Sequence, residues 1–302
     1  MLSPEPSERH RHAHLVGLLT FTSGGIDVVT LMIIGGAFTS VITGNLIFVG
    51  RAVGTSSLSP ALHAVMAVAG YVLGVAAGAR LRQHFARRGP QAAWPRSATL
   101  VLAAECGILA AVNVAWLGWD AAPPAAATDV LLVAAALSLG MQGAAARAIK
   151  GNPSTTYMTG ALTTLVEALS TGGRRTADVS AVAGLLALVV GAACSALLVE
   201  HARLAALLPP LASLLLVVGI KLRDHRAERR EDESEGGSGG ENTATLAPGD
   251  ARLLPDTVTS TRARRAQSLP IRSTPLRAHP AVWRAAAPAG RIFAWGGRKR
   301  KR

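Results

Sequence analysis

Phe38-Thr39-Ser40-Val41-Ile42-Thr43-Gly44-Asn45-Leu46 follows one long apolar segment and precedes another. At an offset of 116, Ser154-Thr155-Thr156-Tyr157-Met158-Thr159-Gly160-Ala161-Leu162 does the same. A short run of hydroxyls and glycine in an oily chain suits a broken membrane helix. Glycine permits unusual dihedrals, and Thr, Ser and Asn side chains satisfy backbone groups that lipid cannot. Two copies at one offset predict a duplicated membrane unit with interrupted helices, which transporters often place at their binding sites.

The rest of the chain agrees with a bilayer as solvent. Of 302 residues 50% are hydrophobic and 16% charged, against about 25% charged in soluble domains. Six segments approach the ~20 apolar residues a crossing helix needs: 15–37, 60–80, 97–118, 128–149, 179–199 and 203–221. The first is too long for a signal-peptide core and lacks a small-residue cleavage site, so it reads as a retained helix. Gly, Ala and Ser recur in all six, as close helix contacts in lipid favour. Gly74-x-x-x-Gly78 matches Gly191-x-x-x-Ser195 at an offset of 117, a pairing best read as helix packing. These motifs suit a homo-oligomer as well as the internal core.

Basic residues orient the spans. The loop with Arg80, Arg82, Arg87, Arg88 and Arg96 is expected in the cytoplasm, and the Asp120–Asp129 loop, which has no Lys or Arg, outside. Arg147, Lys150, Arg174, Arg175, Arg9, Arg11 and Lys221 then fall inside, provided the two Thr-Gly stretches (about 38–54 and 153–171) re-enter rather than cross. Only Arg51 and Arg203 are left outside. The expected fold is therefore an all-α polytopic membrane protein of about six transmembrane helices. They form two three-helix repeats, each with a re-entrant Thr-Gly segment, in inverted topology. The division is a basic arm at 1–14, repeats at 15–118 and 128–222, and a disordered basic cytoplasmic tail at 223–302. The expected location is the inner (plasma) membrane, with both termini cytoplasmic.

Gly24-Gly25-Ile26-Asp27, Gly35-Gly36-Ala37-Phe38 and Thr43-Gly44-Asn45 resemble the YoaK family of bacterial integral membrane proteins. Gly140-Met141-Gln142 and Tyr157-Met158-Thr159-Gly160 stand as a degenerate second copy. The resemblance spans roughly residues 13–222. It implies a polytopic inner-membrane protein and brings no substrate or reaction. Ala161 stands where the first copy has Asn45, so the halves cannot make identical contacts.

Asp27 is the leading candidate for chemistry. It lies 12 residues into the first span, about 18 Å deep at ~1.5 Å per residue, where a carboxylate is costly and normally faces a cavity or partner. Gly17, Thr20, Ser23, Gly24, Asp27 and Thr30 draw a small, polar stripe on one helix face. Asp27 can bind a substrate cation or coupling proton, or can cap the freed amides of a broken helix. Glu105, eight residues into the third span, can share a proton network with Asp27 or pair with an arginine. Gln142 is nearly the repeat equivalent of Asp27, whose strict partner is Gly143; it serves as a neutral site group or as glue between helices. Thr43, Gly44, Asn45, Thr159 and Gly160 have the chemistry of an unwound, site-lining segment or of a plain break, and Tyr157 can offer a hydroxyl. Glu167 reads as an interfacial partner of Arg174 and Arg175.

His10, His12 and His14 alternate with basic residues and fit a solvated arm near headgroups better than a metal site. Cys106 and Cys194 read as packing. No metal-ligand spacing, nucleotide loop or nucleophile–base pair appears, so neither an enzyme nor a cofactor is expected. Most of the positive charge is in the tail: from Arg223 onward 17 Lys and Arg face 9 Asp and Glu, a net of +8 out of +13. That concentration argues against nucleic acid as a partner of the core and for anionic lipid headgroups as partners of the tail. The charged run 223–235 extends the last helix by a turn or two, and Gly236–Gly240 is a flexible linker. The expected function is secondary transport of a small polar solute or ion, coupled to protons through Asp27. A membrane scaffold or sensor is the alternative.

Overall fold

A computed structural model describes residues 6–55, 58–86, 92–149, 160, 162–163, 166–167, 170 and 176–238. All of them fall in the unit that ends at residue 245. The described residues form α1 (Pro6–Ile33), α2 (Ile42–Thr55), α3 (Leu58–His84), α4 (Arg96–Gly118), α5 (Ala125–Ala146), α6 (Thr176–His201), a 3-10 turn (Arg203–Ala205) and α7 (Leu208–Ser238). Six of these segments are long and apolar enough to cross a membrane: Arg11–Ile33, Leu58–His84, Arg96–Gly118, Ala125–Ala146, Ala181–His201 and Arg203–Arg230.

Three boundaries differ from the sequence expectation. The N-terminal arm is not a separate element, because α1 already begins at Pro6 and carries His12 into contact with the Trp94 ring at 5.7 Å. At its other end α1 stops at Ile33 rather than 37. There Gly35 (φ 84°) and Gly36 (φ 65°) turn left-handed, and the Gly36 N–H reaches back to Thr30 O at 3.2 Å, closing the helix end. Finally, α7 runs to Ser238, so the charged run continues the helix by more than a turn or two. The first residues of the proposed Gly-Ser linker are helical too. Tail residues 239–302 lie outside the described residues, as do Tyr157, Thr159 and most of the second Thr-Gly segment.

The core is built by α1, α4, α5 and α7, with α6 laid against α1 and α3 against α5 in the two most extensive helix contacts. Small residues bring those backbones together. A Cβ on Gly24 would collide with the Leu188 carbonyl, and one on Gly191 with the Phe21 carbonyl; a Cβ on Gly140 would collide with Tyr71 O, and one on Gly74 with Leu137 O. Two apolar clusters stack along the bundle. One gathers Leu15, Leu19, Ile26, Leu102, Leu109, Leu139 and Leu214 with Trp94. The other gathers Val29, Ile34, Val112, Trp116, Leu131 and Leu132. Outward, large side chains such as Ile47, Val53, Val114, Val130 and Leu197 are exposed, a surface that lipid tolerates and water does not.

Candidate functional site

Ile26 belongs to one apolar cluster and Val29 to the other, so Asp27 lies where the two meet. Its side chain is buried and fully engaged by the stretch that follows the glycine turn. Oδ1 accepts from Thr39 N at 2.6 Å, Thr39 Oγ1 at 2.7 Å and Ser40 N at 2.8 Å, while Oδ2 accepts from Ser40 Oγ. The carboxylate thus clamps the backbone just before α2, satisfying amides that no helix bond reaches. Asn45 completes the clamp from the other side. Its Oδ1 accepts from Phe38 N at 3.0 Å, and its Nδ2 donates to Phe38 O at 2.6 Å.

Thr43, Gly44 and Asn45 are not unwound: they form the first turn of α2, and the irregular backbone lies before it, at 34–41. Thr43 is exposed on the outer face, because the helical period turns it away from the buried Asn45. Gly44 has a packing role, since a Cβ there would approach the Phe38 ring at 3.1 Å; that ring stacks on Phe48 at 6.0 Å. Thr39 and Ser40, which make the direct contacts to Asp27, were not singled out from the sequence. The available signal was a Thr-Ser pair at the start of the predicted break, 12 and 13 positions after a buried acid. Gly160, within the second Thr-Gly stretch, is helical and exposed.

The polar stripe on α1 faces inward as expected, with Thr20, Ser23, Asp27 and Thr30 all buried. Gln142 reaches it from α5. Its Nε2 donates to Leu19 O at 2.8 Å and to Ser23 Oγ at 2.9 Å, bridging the two helices. Among the described residues its Oε1 has no hydrogen-bond partner, and neither do the two Glu105 oxygens, the two amide atoms of Asn113 or Ser195 Oγ, all of them buried. Neither partner foreseen for Glu105 is present: no ion pair or hydrogen bond joins it to an arginine or to Asp27 among the described residues. Asn113, which was not picked out from the sequence, and Ser195, read there only as part of a packing motif, join the buried polar set.

Each end of the bundle is closed by a tryptophan. At the end holding the start of α1, Lys221 Nζ sits 4.9 Å from the Trp94 ring, and Trp94 Nε1 donates to Thr99 Oγ1 at 3.1 Å. Thr99 Oγ1 also meets His225 Nε2 at 3.1 Å. Asp224 takes both Arg11, at 2.6 Å, and Lys221, at 3.2 Å. At the opposite end Trp116 Nε1 donates to Arg203 O at 3.1 Å and His63 pairs with Asp129 at 3.1 Å. Among the described residues no three His, Cys, Asp or Glu side chains are grouped to hold a metal ion.

Comparison with known proteins adds a family to this geometry. The model of a protein family of unknown function, DUF1275, matches residues 15–220. The UPF0700 transmembrane protein YoaK of Bacillus subtilis (strain 168) is 29% identical over 157 residues, which cover 52% of this chain and 66% of the relative, just short of two thirds. No solved structure matches.

Proposed function

Because the chain belongs to the DUF1275 family, which comes with no activity, we propose its function from its own geometry: a secondary carrier of a small polar solute, coupled to protons and without enzymatic chemistry. Six apolar helices and a transmembrane relative make this a multi-pass membrane protein. The single observation that carries the step to transport is the set of buried polar atoms without partners, Glu105, Asn113, Gln142 Oε1 and Ser195. Leaving such groups unmatched in an apolar interior costs about 1–3 kcal/mol each. A bundle meant only to hold together gains nothing from that cost. A carrier does, since the groups are matched when a polar solute, ion or water enters.

Pairs of close approaches support the duplicated reading. Gly24 against Leu188 corresponds to Gly140 against Tyr71, and Gly191 against Phe21 corresponds to Gly74 against Leu137, at the offsets of 116 and 117 found in the sequence. The first helix of each repeat packs on the second helix of the other. Three crossings per repeat then invert one copy against the other, the arrangement in which exchange of two conformations gives alternating access. The Asp27 clamp supports the re-entrant reading. Thr39 and Ser40 sit at the level of a residue six positions before the end of α1, so the chain returns about 9 Å along the helix axis before α2 starts. With 14 residues α2 then spans only about 21 Å, short of the ~30 Å hydrocarbon layer. The distribution of basic residues supports both termini on the cytoplasmic side of the plasma membrane, with anionic headgroups as partners of the tail.

The scaffold or sensor reading has one observation in its favour, the complete engagement of Asp27 by its own chain. Uptake into proteoliposomes across a panel of small polar solutes separates the two. Flux of at least one solute, with its proton-driven accumulation lost on Glu105→Gln while the folded protein is retained, is the carrier outcome. No flux for any solute is the scaffold outcome.

A further inference from the structure

We propose that the exchangeable proton of this protein resides on Glu105, and that Asp27 is a structural clamp on the start of α2. The two acids differ in what surrounds them rather than in depth alone. Asp27 accepts four hydrogen bonds from Thr39 and Ser40, three of them on Oδ1. Those four donors spend the carboxyl on holding the start of α2. Glu105 is fully buried, and among the described residues neither oxygen has a donor. On the same face of α4, Leu102, Cys106 and Leu109 belong to the apolar cluster. An ionised carboxylate without a partner in such a place costs far more than a neutral acid. In the conformation seen here Glu105 therefore holds its proton, and ionises only when water, a donor or a cation reaches it.

Among the described residues no neighbour supplies a compensating charge. α4 packs against α3, α5 and α7. α3 brings His63 and Tyr71, with Arg80, Arg82 and His84 in its last two turns; His63 is paired to Asp129, the acid near the start of α5. α7 brings Lys221, Arg223, Asp224 and His225, of which Lys221 is held by Asp224 and the Trp94 ring. On α4 itself the Cys106 thiol is adjacent. Proton binding here is a simple addition, carboxylate plus H⁺ giving the acid, with uptake and release when the site opens to either side. Coupling to a solute rests on the carrier reading above; the protonation of Glu105 does not.

The test is labelling of the purified full-length protein with dicyclohexylcarbodiimide, a hydrophobic reagent that adds to protonated carboxyls in apolar surroundings, followed by peptide mass mapping. Expected is one adduct on the peptide containing Glu105, declining as pH rises. It should be lost in Glu105→Gln, retained in Asp27→Asn and restored in Glu105→Asp. An adduct on Asp27 instead, or none on Glu105 at any pH, overturns the proposal. A parallel assay in proteoliposomes reads internal pH with a trapped dye. If a solute is carried, Glu105→Gln should leave downhill exchange but abolish accompanying proton movement, and proton movement retained in that variant overturns the proposal as well. Labelling of Glu105 without flux of any solute defeats the carrier reading and leaves the proton site standing.

Discussion

Asp27 and Gln142 occupy similar polar surroundings, yet their substitution should have unequal effects. Hydrogen bonds to a charged group contribute about 1.5–3 kcal/mol, whereas neutral side-chain bonds between membrane helices average about 0.6 kcal/mol. Asp27→Asn, which keeps the shape but loses the charge and one acceptor, should lower stability in detergent by about 2 kcal/mol. It should also expose the 38–41 stretch to thiol reagents placed there by cysteine substitution. An unchanged thermal midpoint and unchanged reactivity would show that the clamp contributes nothing. Gln142→Met should cost less than about 1 kcal/mol, since it removes the buried, unpartnered Oε1 together with the bonds to Leu19 and Ser23.

At the scale of elements, two glycines in similar sequence settings make opposite demands. A Cβ on Gly74 would run into the Leu137 backbone, while one on Gly107 would meet nothing within 4 Å. Gly74→Leu must push α3 off α5 and should cost more than about 3 kcal/mol, beyond the usual range for overpacking, because the obstacle is backbone. Gly107→Ala should be neutral or stabilising by up to about 1 kcal/mol through helix propensity. Thermal unfolding of the two variants side by side reads this directly. The Asp224 contacts tie α1 to α7, but Arg11 is 58% exposed. A double-mutant cycle on Arg11→Ala and Asp224→Ala should therefore give a coupling of only about 0.2–1 kcal/mol, falling further in high salt. A larger, salt-insensitive coupling would mean the pair is sealed from water.

For the whole molecule, the consequence of the packing is interdependence. α1 rests on α6 and α7, and α5 rests on α3 and α4, so each half of the chain lacks a partner for its own first helix. Residues 1–122 and 123–302 expressed separately should be degraded, and expressed together should co-purify as one folded complex. Accumulation of either half alone as a stable, monodisperse protein would contradict the packing. Cysteine pairs at 24 with 188 and at 71 with 140 should crosslink equally well in the intact chain, since both report the same kind of close approach.

Much of this was legible in the sequence because lipid imposes a simple rule: a helix that crosses must be apolar and continuous, and any break must carry its own hydrogen-bonding groups. Length and hydropathy alone were enough for the six apolar helices. The inward polar face of α1 followed from the spacing of Thr20, Ser23, Asp27 and Thr30. Helix ends were less legible. Ile34 and Ala37 are as apolar as the span before them, and only the left-handed Gly35 and Gly36 stop α1 at Ile33. The long continuation of α7 to Ser238 was hidden because charge, the signal for leaving the membrane, does not end a helix.

The amino-acid order by itself thus determined the class of molecule, a bundle of membrane helices with a glycine-bearing break after the first and a buried acid at Asp27. Which acid is matched and which is left alone was decided only by tertiary structure. Composition places Asp27 and Glu105 in the same unfavourable medium, but the partners of a carboxylate come from backbone far along the chain or from another helix. The return of the chain after Gly36 brings Thr39 and Ser40 to Asp27, while the helices around Glu105 bring it no donor. A hydrogen bond needs its donor within about 3 Å, and residue order does not set that distance; packing does.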